Sequence, residues 1–275
     1  MHYREHPVPV SLRRHVECVW RLISRTAGVQ TIFPDGRCEL IVHLGEAPRI
    51  WEAGHGWQRQ AQVLFAAQHR TAIRLDTQGE LDCLGIRLTP AASAAVIGTQ
   101  LAQLQDRAID LSDVTSSFAA ALRESAARFS VDPETPHLWN LLESRLLSYQ
   151  IDERIEAAIA RLESAGGKGR IPPLATAAAM SVRTFQMRFL ECVGLRAKEF
   201  ACISRLQAMI RSLDAEVEPL SRLAFDAGFA DQPHATRELS RFTGTTPALL
   251  RAALRRGRYD EDTIRLAAAF VRGHG

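Results

Sequence analysis

Polar and apolar residues alternate in the first third of the chain and fall into a helical period after it. From Ser11 to Ser24, Val16, Cys18, Trp20 and Leu22 lie on one side and His15, Glu17, Val19 and Arg21 on the other, which is a strand period. A turn at Thr26-Ala27-Gly28 leads to an extended run, Val29–Phe33, and then Pro34-Asp35-Gly36 marks a turn by its proline-set φ and its glycine. Strands are predicted again at Cys38–Leu44, Gln62–Ala67, Thr71–Asp76 and Leu81–Leu88, with Gly45, Gly54, Gly56 and Gly79 as punctuation. Short strands at this spacing predict a small antiparallel barrel or sandwich over residues 1–90.

From Pro90 onward helices are expected: Ala91–Ile97, Leu111–Phe129 with Val114, Phe118, Ala121 and Leu122 on one face, and a long heptad-like helix over Leu138–Leu162. Residues 91–163 thus read as a helical connector whose last helix suits helix–helix packing or a dimer contact. Residues 164–173, SAGGKGRIPP, are small, glycine-rich and closed by two prolines, so they read as a linker and hinge.

One pattern then occurs twice, about fifty residues apart: LATAAAMSVRTFQMRFLECVGL from Leu174 and LAFDAGFADQPHATRELSRFTGT from Leu223. Each copy opens with Leu-Ala on a short helix, passes a tight turn (Ala179-Met180-Ser181, Gly228-Phe229-Ala230) and ends a second helix before a glycine, Gly194 or Gly244. Ser181 and Asp231 are the expected N-caps of those second helices, with Pro233 in a first turn where its missing N–H costs nothing. Val182, Phe185 and Phe189 form the core stripe predicted for the first, and Ala235, Leu239 and Phe242 that for the second. Opposite them lie Arg183, Gln186 and Met187, and Gln232, His234, Arg237 and Arg241, side chains long enough to reach base edges from a helix in a major groove. Two copies suit successive major grooves, one DNA turn or roughly 34 Å apart.

This C-terminal half resembles the double helix-turn-helix domain of AraC/XylS-family transcriptional regulators. The resemblance rests on Gly228-Phe229, Gln232-Pro233-His234, Arg237 and Gly244-Thr245-Thr246-Pro247 in the second copy, on Ser181, Arg183 and Phe185 in the first, and on Arg205-Leu206 between them. The chain departs from the family pattern at Met187, where arginine is usual, at Ala235 in place of phenylalanine, and at Gly194-Leu195-Arg196-Ala197, which lacks the usual proline. The N-terminal half, through Ser11–Trp20, Phe33–Ile41 and Leu84–Leu88, resembles the cupin-like sensor domain of a group of such regulators.

The expected fold is α+β: an N-terminal antiparallel β-barrel or cupin-like domain, a helical connector, and an all-α domain of two helix-turn-helix units over residues 174–258 with a helical tail at 259–275. The resemblance implies a sequence-specific regulator of transcription bound to double-stranded DNA through two adjacent major grooves, and the lack of a membrane-length or signal-peptide apolar run predicts a cytoplasmic protein. Arg183, Gln186, Met187, Gln232, Pro233, His234 and Arg237 are then the candidates for bases, and Ser181, Arg188, Arg196, Lys198, Arg241 and Arg251 those for phosphates. A small-molecule effector, a second copy of the chain and RNA polymerase stand open as further partners, with no effector identified by the sequence.

Charge supports this division. Residues 168–275 carry 17 Lys+Arg against 11 Asp+Glu, whereas residues 1–167 carry 17 against 20, so the basic half is the half with the repeats. No apolar run has the length of a membrane span or a signal peptide. Five scattered cysteines, with no C-x-x-C pair, point to neither a disulfide framework nor a zinc module. No P-loop, G-x-G-x-x-G or His-x-His occurs, and His43, His55 and His69 are spread out, so neither metal, cofactor nor catalysis is expected. The alternative is a cupin-type enzyme or small-molecule-binding protein with a helical appendage. Trp20, Trp51, Trp57 and Phe65 suit either a pocket wall or the core, and Asp35 and Arg37 either a polar effector or the turn itself.

Overall fold

The structure, a computed structural model, describes residues 2–25, 27–215 and 218–255. Its N-terminal part is built from β1 (His2–His6), β2 (Val16–Ser24), β3 (Gly28–Ile32), β4 (Glu39–His43), β5 (Arg49–Glu52), β6 (Gly56–Arg59), β7 (Val63–Ala66), β8 (Ile73–Thr77), β9 (Leu81–Leu88) and β10 (Ala108–Asp110). These pair antiparallel into a six-stranded sheet, order β1-β2-β9-β4-β7-β10, and a four-stranded sheet, order β3-β8-β5-β6. The α+β class holds, but the sheets remain two separate units and do not close into a barrel.

β2 departs from simple alternation at a bulge. The register slips between Val16 and Cys18, so Val16 and Val19 end on one face while Cys18, Trp20 and Leu22 share the other. Both faces are covered, which is why Val19, expected on the polar side, is wholly buried. One face packs Val19, Leu40, Leu84 and Ile86 under α2 (after a short α1, Ala94–Ile97), which spans Ser112–Val131, and α3 (His137–Leu146). On the other, the Trp20 indole lies flat over Gly85, where an added Cβ would stand 2.1 Å from the ring.

The single helix expected over Leu138–Leu162 is two, α3 and α4 (Glu153–Ser164). Asp152 breaks the run by capping α4 through the Arg154 N–H. Its apolar stripe is divided accordingly: Leu138, Leu142 and Leu146 bury in the N-terminal core, and Ile155, Ile159 and Leu162 in the C-terminal one. The positions read as a dimer seam are therefore filled from within the chain.

α4 ends in a left-handed glycine turn: Gly166 N–H donates to Glu163 O and Gly167 N–H to Leu162 O, with φ of 56° and 73°. The stretch read as a linker is thus tightly folded. Pro172 and Pro173 belong to the first turn of α5 (Ile171–Ala177), where prolines preorganise a helix start. α6 (Val182–Val193), α7 (Ala197–Ala215), α8 (Leu220–Asp226), α9 (Gln232–Thr243) and α10 (Pro247–Arg255) complete the described chain. The tail expected at 259–275, and the end of the domain expected to reach 258, lie outside the described residues.

Phe33 and Ala91 of the N-terminal part are buried in the same cluster as Phe185, Phe189, Phe200, Leu239 and Phe242. The Pro34–Arg37 turn sits against α7, since Gln207 Nε2 donates to Pro34 O at 2.6 Å and Gly36 meets the Phe200 ring. The N-terminal part therefore contributes to the C-terminal core.

Candidate nucleic-acid interface

α5–α6 and α8–α9 are two helix-turn-helix units built by the same local chemistry. In the first turn Ala179 N–H donates to Thr176 O and Met180 N–H to Ala175 O; in the second Gly228 N–H donates to Phe225 O and Phe229 N–H to Ala224 O. Each second helix starts on the expected N-cap: Ser181 Oγ accepts from Thr184 N–H at 3.1 Å, and Asp231 Oδ1 from His234 N–H at 2.6 Å. Counting from these caps, Val182 matches Gln232, Arg183 matches Pro233 and Met187 matches Arg237.

Phe185 and Phe189 in α6, and Ala235, Leu239 and Phe242 in α9, are buried as expected. Val182 is not: it is 41% exposed at the first position of α6, too near the helix start to reach the core. Its solvent face joins Arg183, Gln186 and Met187, all exposed, so α6 presents a more apolar stripe than its periodicity suggested. Alignment of the two N-caps was the sequence signal that would have found Val182, since its counterpart Gln232 was already placed outward.

In α9, Gln232, Pro233 and Arg237 are exposed, and His234 is half-buried, its ring edge-on to Phe229 at 5.5 Å. That contact orients the imidazole at the turn. Arg241 lies over the Phe242 ring at 4.7 Å and remains largely exposed.

The six phosphate candidates divide. Ser181, Arg196 and Lys198 are exposed at the edges of α6 and α7, and the Arg196 N–H donates to Glu199 Oε2 at 2.9 Å, capping α7. Arg188 is also exposed but is paired within the chain, 3.3 Å from Asp152 at the start of α4 and 3.1 Å from Glu191. Arg251 on α10 is half-buried.

The N-terminal candidates are spread apart. Trp20 and Phe65 are buried in different clusters, while Trp51 and Trp57 stack edge-to-face at 5.4 Å on the four-stranded sheet, with Arg74 over both rings. Asp35 and Arg37 hold their turn and its neighbours: Arg37 N–H donates to Asp35, the Asp35 carboxylate pairs with the buried Arg87 at 3.0 Å, and Arg37 pairs with Glu17 and, at 2.7 Å, with Glu163 of α4. Burial holds the His43 imidazole down at about 4, and burial pushes the Cys18 and Cys38 thiols up to about 12. Among the described residues no three His, Cys, Asp or Glu side chains converge as a metal site, and no helix is long and apolar enough to cross a membrane.

Residues 4–110 match a family described as a domain of unknown function, and residues 174–253 one described as a helix-turn-helix domain. No curated protein matches. Among solved structures, ToxT from Vibrio cholerae in its P21 form aligns at 10% identity over 85% of this chain and 98% of that one, with a TM-score of 0.47. ToxT of strain SCE256 with bound unsaturated fatty acid aligns at 10% identity over 84% and 94%, with a TM-score of 0.44. The helix-turn-helix match falls on both repeats, where Gly228-Phe229, Gln232-Pro233-His234 and Gly244-Thr245-Thr246-Pro247 stand, so residues 174–253 form a helix-turn-helix domain.

Proposed function

We propose that α6 and α9 are the two base-reading helices, seated in successive major grooves of one DNA duplex. The observation that carries this reading is the exposed stripe that each presents opposite a buried one, starting from a side-chain N-cap, Ser181 or Asp231. Arg237 and Arg183 then favour guanine through O6 and N7, Gln186 and Gln232 favour adenine, and Met187 and Pro233 add apolar contact suited to a thymine methyl, with His234 beside them. Val182 joins Met187 in that apolar contact. Ser181, Arg196, Lys198, Arg241 and Arg251 position the protein on phosphates without specifying sequence.

The rest of the reading is a cytoplasmic binder that does not catalyse, with residues 1–90 as a sensor domain, 91–163 as a connector and 174–258 as the reader. The contribution of the N-terminal part to the C-terminal core supports a protein in which a small-molecule effector held by the first domain is felt by the reading helices. RNA polymerase and a second copy of the chain are its further partners.

The test is selection of bound sequences from a random DNA library, followed by Arg237→Ala. The variant is expected to lose about 1–3 kcal/mol on the selected site and to relax one base position. Equal losses on selected and random DNA sink the base-reading role.

A further inference from the structure

The last carbonyls of a helix have no partner within it, and something outside must satisfy them. At the ends of both reading helices that something is the N-terminal domain. Gln68 Nε2 donates to Val193 O, the last residue of α6, and Gln105 Nε2 donates to Gly194 O beside it. Four residues after Gln68, the Ala72 N–H donates to Phe242 O, in the last turn of α9, at 2.7 Å. One loop, between β7 and β8, therefore touches the C-terminal ends of both helices.

This loop is built to hold its shape. Gln68 is 1% exposed and its amide also lies 3.3 Å from Ser93 Oγ. Arg70 donates from its backbone N–H and its guanidinium to Asp106, at 2.6 and 2.7 Å, while Asp106 N–H donates back to Gln68 O. Arg70 also stands 3.7 Å from Glu199 in the first turn of α7. The approach to α6 is tight: at Gly194, with φ of 82°, an added Cβ would lie 2.7 Å from Gln68 Oε1 and 2.8 Å from Leu101.

Covalently, the two units are joined through α7, and both also pack with it in one buried cluster. The loop is a further tie, made to the helix ends themselves. We propose that the Gln68–Ala72 loop, with Gln105, is a clasp that fixes the separation and relative orientation of α6 and α9, and so sets the spacing between the two DNA boxes that the protein accepts. Gln68, Ala72 and Gln105 are positioning residues for that spacing, since they act through the helix ends they hold. The proposal rests on the reading of α6 and α9 as the base readers.

Inserting one base pair between the boxes moves one of them by about 3.4 Å and turns it by roughly a tenth of a revolution. A clasped pair of helices resists that move more strongly than a pair held only by its packing on α7. The experiment uses the full-length chain, the operator selected from a random library, and a series of that operator with one or two base pairs inserted or removed between the boxes. The wild type is expected to lose about tenfold or more in affinity for each step, and Gln68→Ala with Gln105→Ala less than about threefold, with weaker binding at the selected spacing. Gln105→Ala alone, on the partly exposed side, is the variant to read if the buried Gln68 change prevents cooperative melting. Spacing profiles that superimpose for folded variant and wild type overturn the clasp and leave the base readers standing. A wild type that selects no second box overturns the reading of the helices, and the clasp with it.

Discussion

Ala179 and Gly228 occupy the same place in the two helix-turn-helix units and the same left-handed backbone, with φ of 53° and 79°. Glycine adopts this conformation freely, whereas a Cβ there costs roughly 1–2 kcal/mol. Ala179 is exposed, and its backbone bonds do not involve the side chain. Ala179→Gly should raise stability, by about 0.5–1 kcal/mol once the greater freedom of glycine in the unfolded chain is set against the relieved strain. Gly228→Ala should do the opposite and lose more, because its Cβ would also stand 2.8 Å from Lys168 Cγ. Denaturant melts of both variants decide this, and a less stable Ala179→Gly refutes the strain.

The parts of the fold legible in the sequence were those written locally. Ser181, Asp231 and the turn glycines act within a few residues of themselves, so both units could be placed from the letters alone. The break at Asp152 was missed although it is written there too: Leu146 and Ile155, nine residues apart, would fall on opposite faces of one helix, and they serve two different cores. β5 and β6 were missed because each is four residues long and their Trp51 and Trp57 lie outward. Gln68 gave no signal: a glutamine in a loop reveals nothing about a carbonyl at residue 193.

Gly167 distinguishes a hinge from a packed turn. An added Cβ would lie 2.1 Å from Ala201 O in α7, and Arg205 donates to Gly167 O at 3.1 Å. Gly167→Ala should destabilise by roughly 1–3 kcal/mol through overpacking, with further strain from its φ of 73°. A swinging linker would accept the change within about 0.5 kcal/mol. Thermal melting of this one variant separates the two.

His43 should govern part of the acid limb of stability. It is 3% exposed, and burial lowers its pKa from 6.5 to about 4. Between those values the unfolded chain binds a proton that the folded chain refuses. Its contribution is therefore intact above pH 6.5 and is lost as pH falls toward 4, by on the order of 3 kcal/mol. His6 and His69, also lowered by burial, act in the same direction. His43→Gln should flatten the fall in unfolding free energy between pH 6.5 and 4, and an unchanged slope there removes His43 as its source.

Two cations near the first reading helix should behave differently towards salt. Lys198 is exposed on α7, so Lys198→Ala should weaken all DNA sequences alike and reduce the slope of log affinity against log salt by about one. Arg188 is bound to Asp152, a side chain only 8% exposed that also caps α4. Burial alone would raise that carboxyl, but its bonds to Arg154 and Arg188 outweigh burial and hold it below its ordinary value. Arg188→Ala should therefore loosen the seat of α6 against α4 and lower the melting temperature, with the salt slope unchanged. A slope that falls equally in both variants would mean that Arg188 leaves Asp152 for a phosphate when DNA binds, and the ion pair would then belong to the free protein alone.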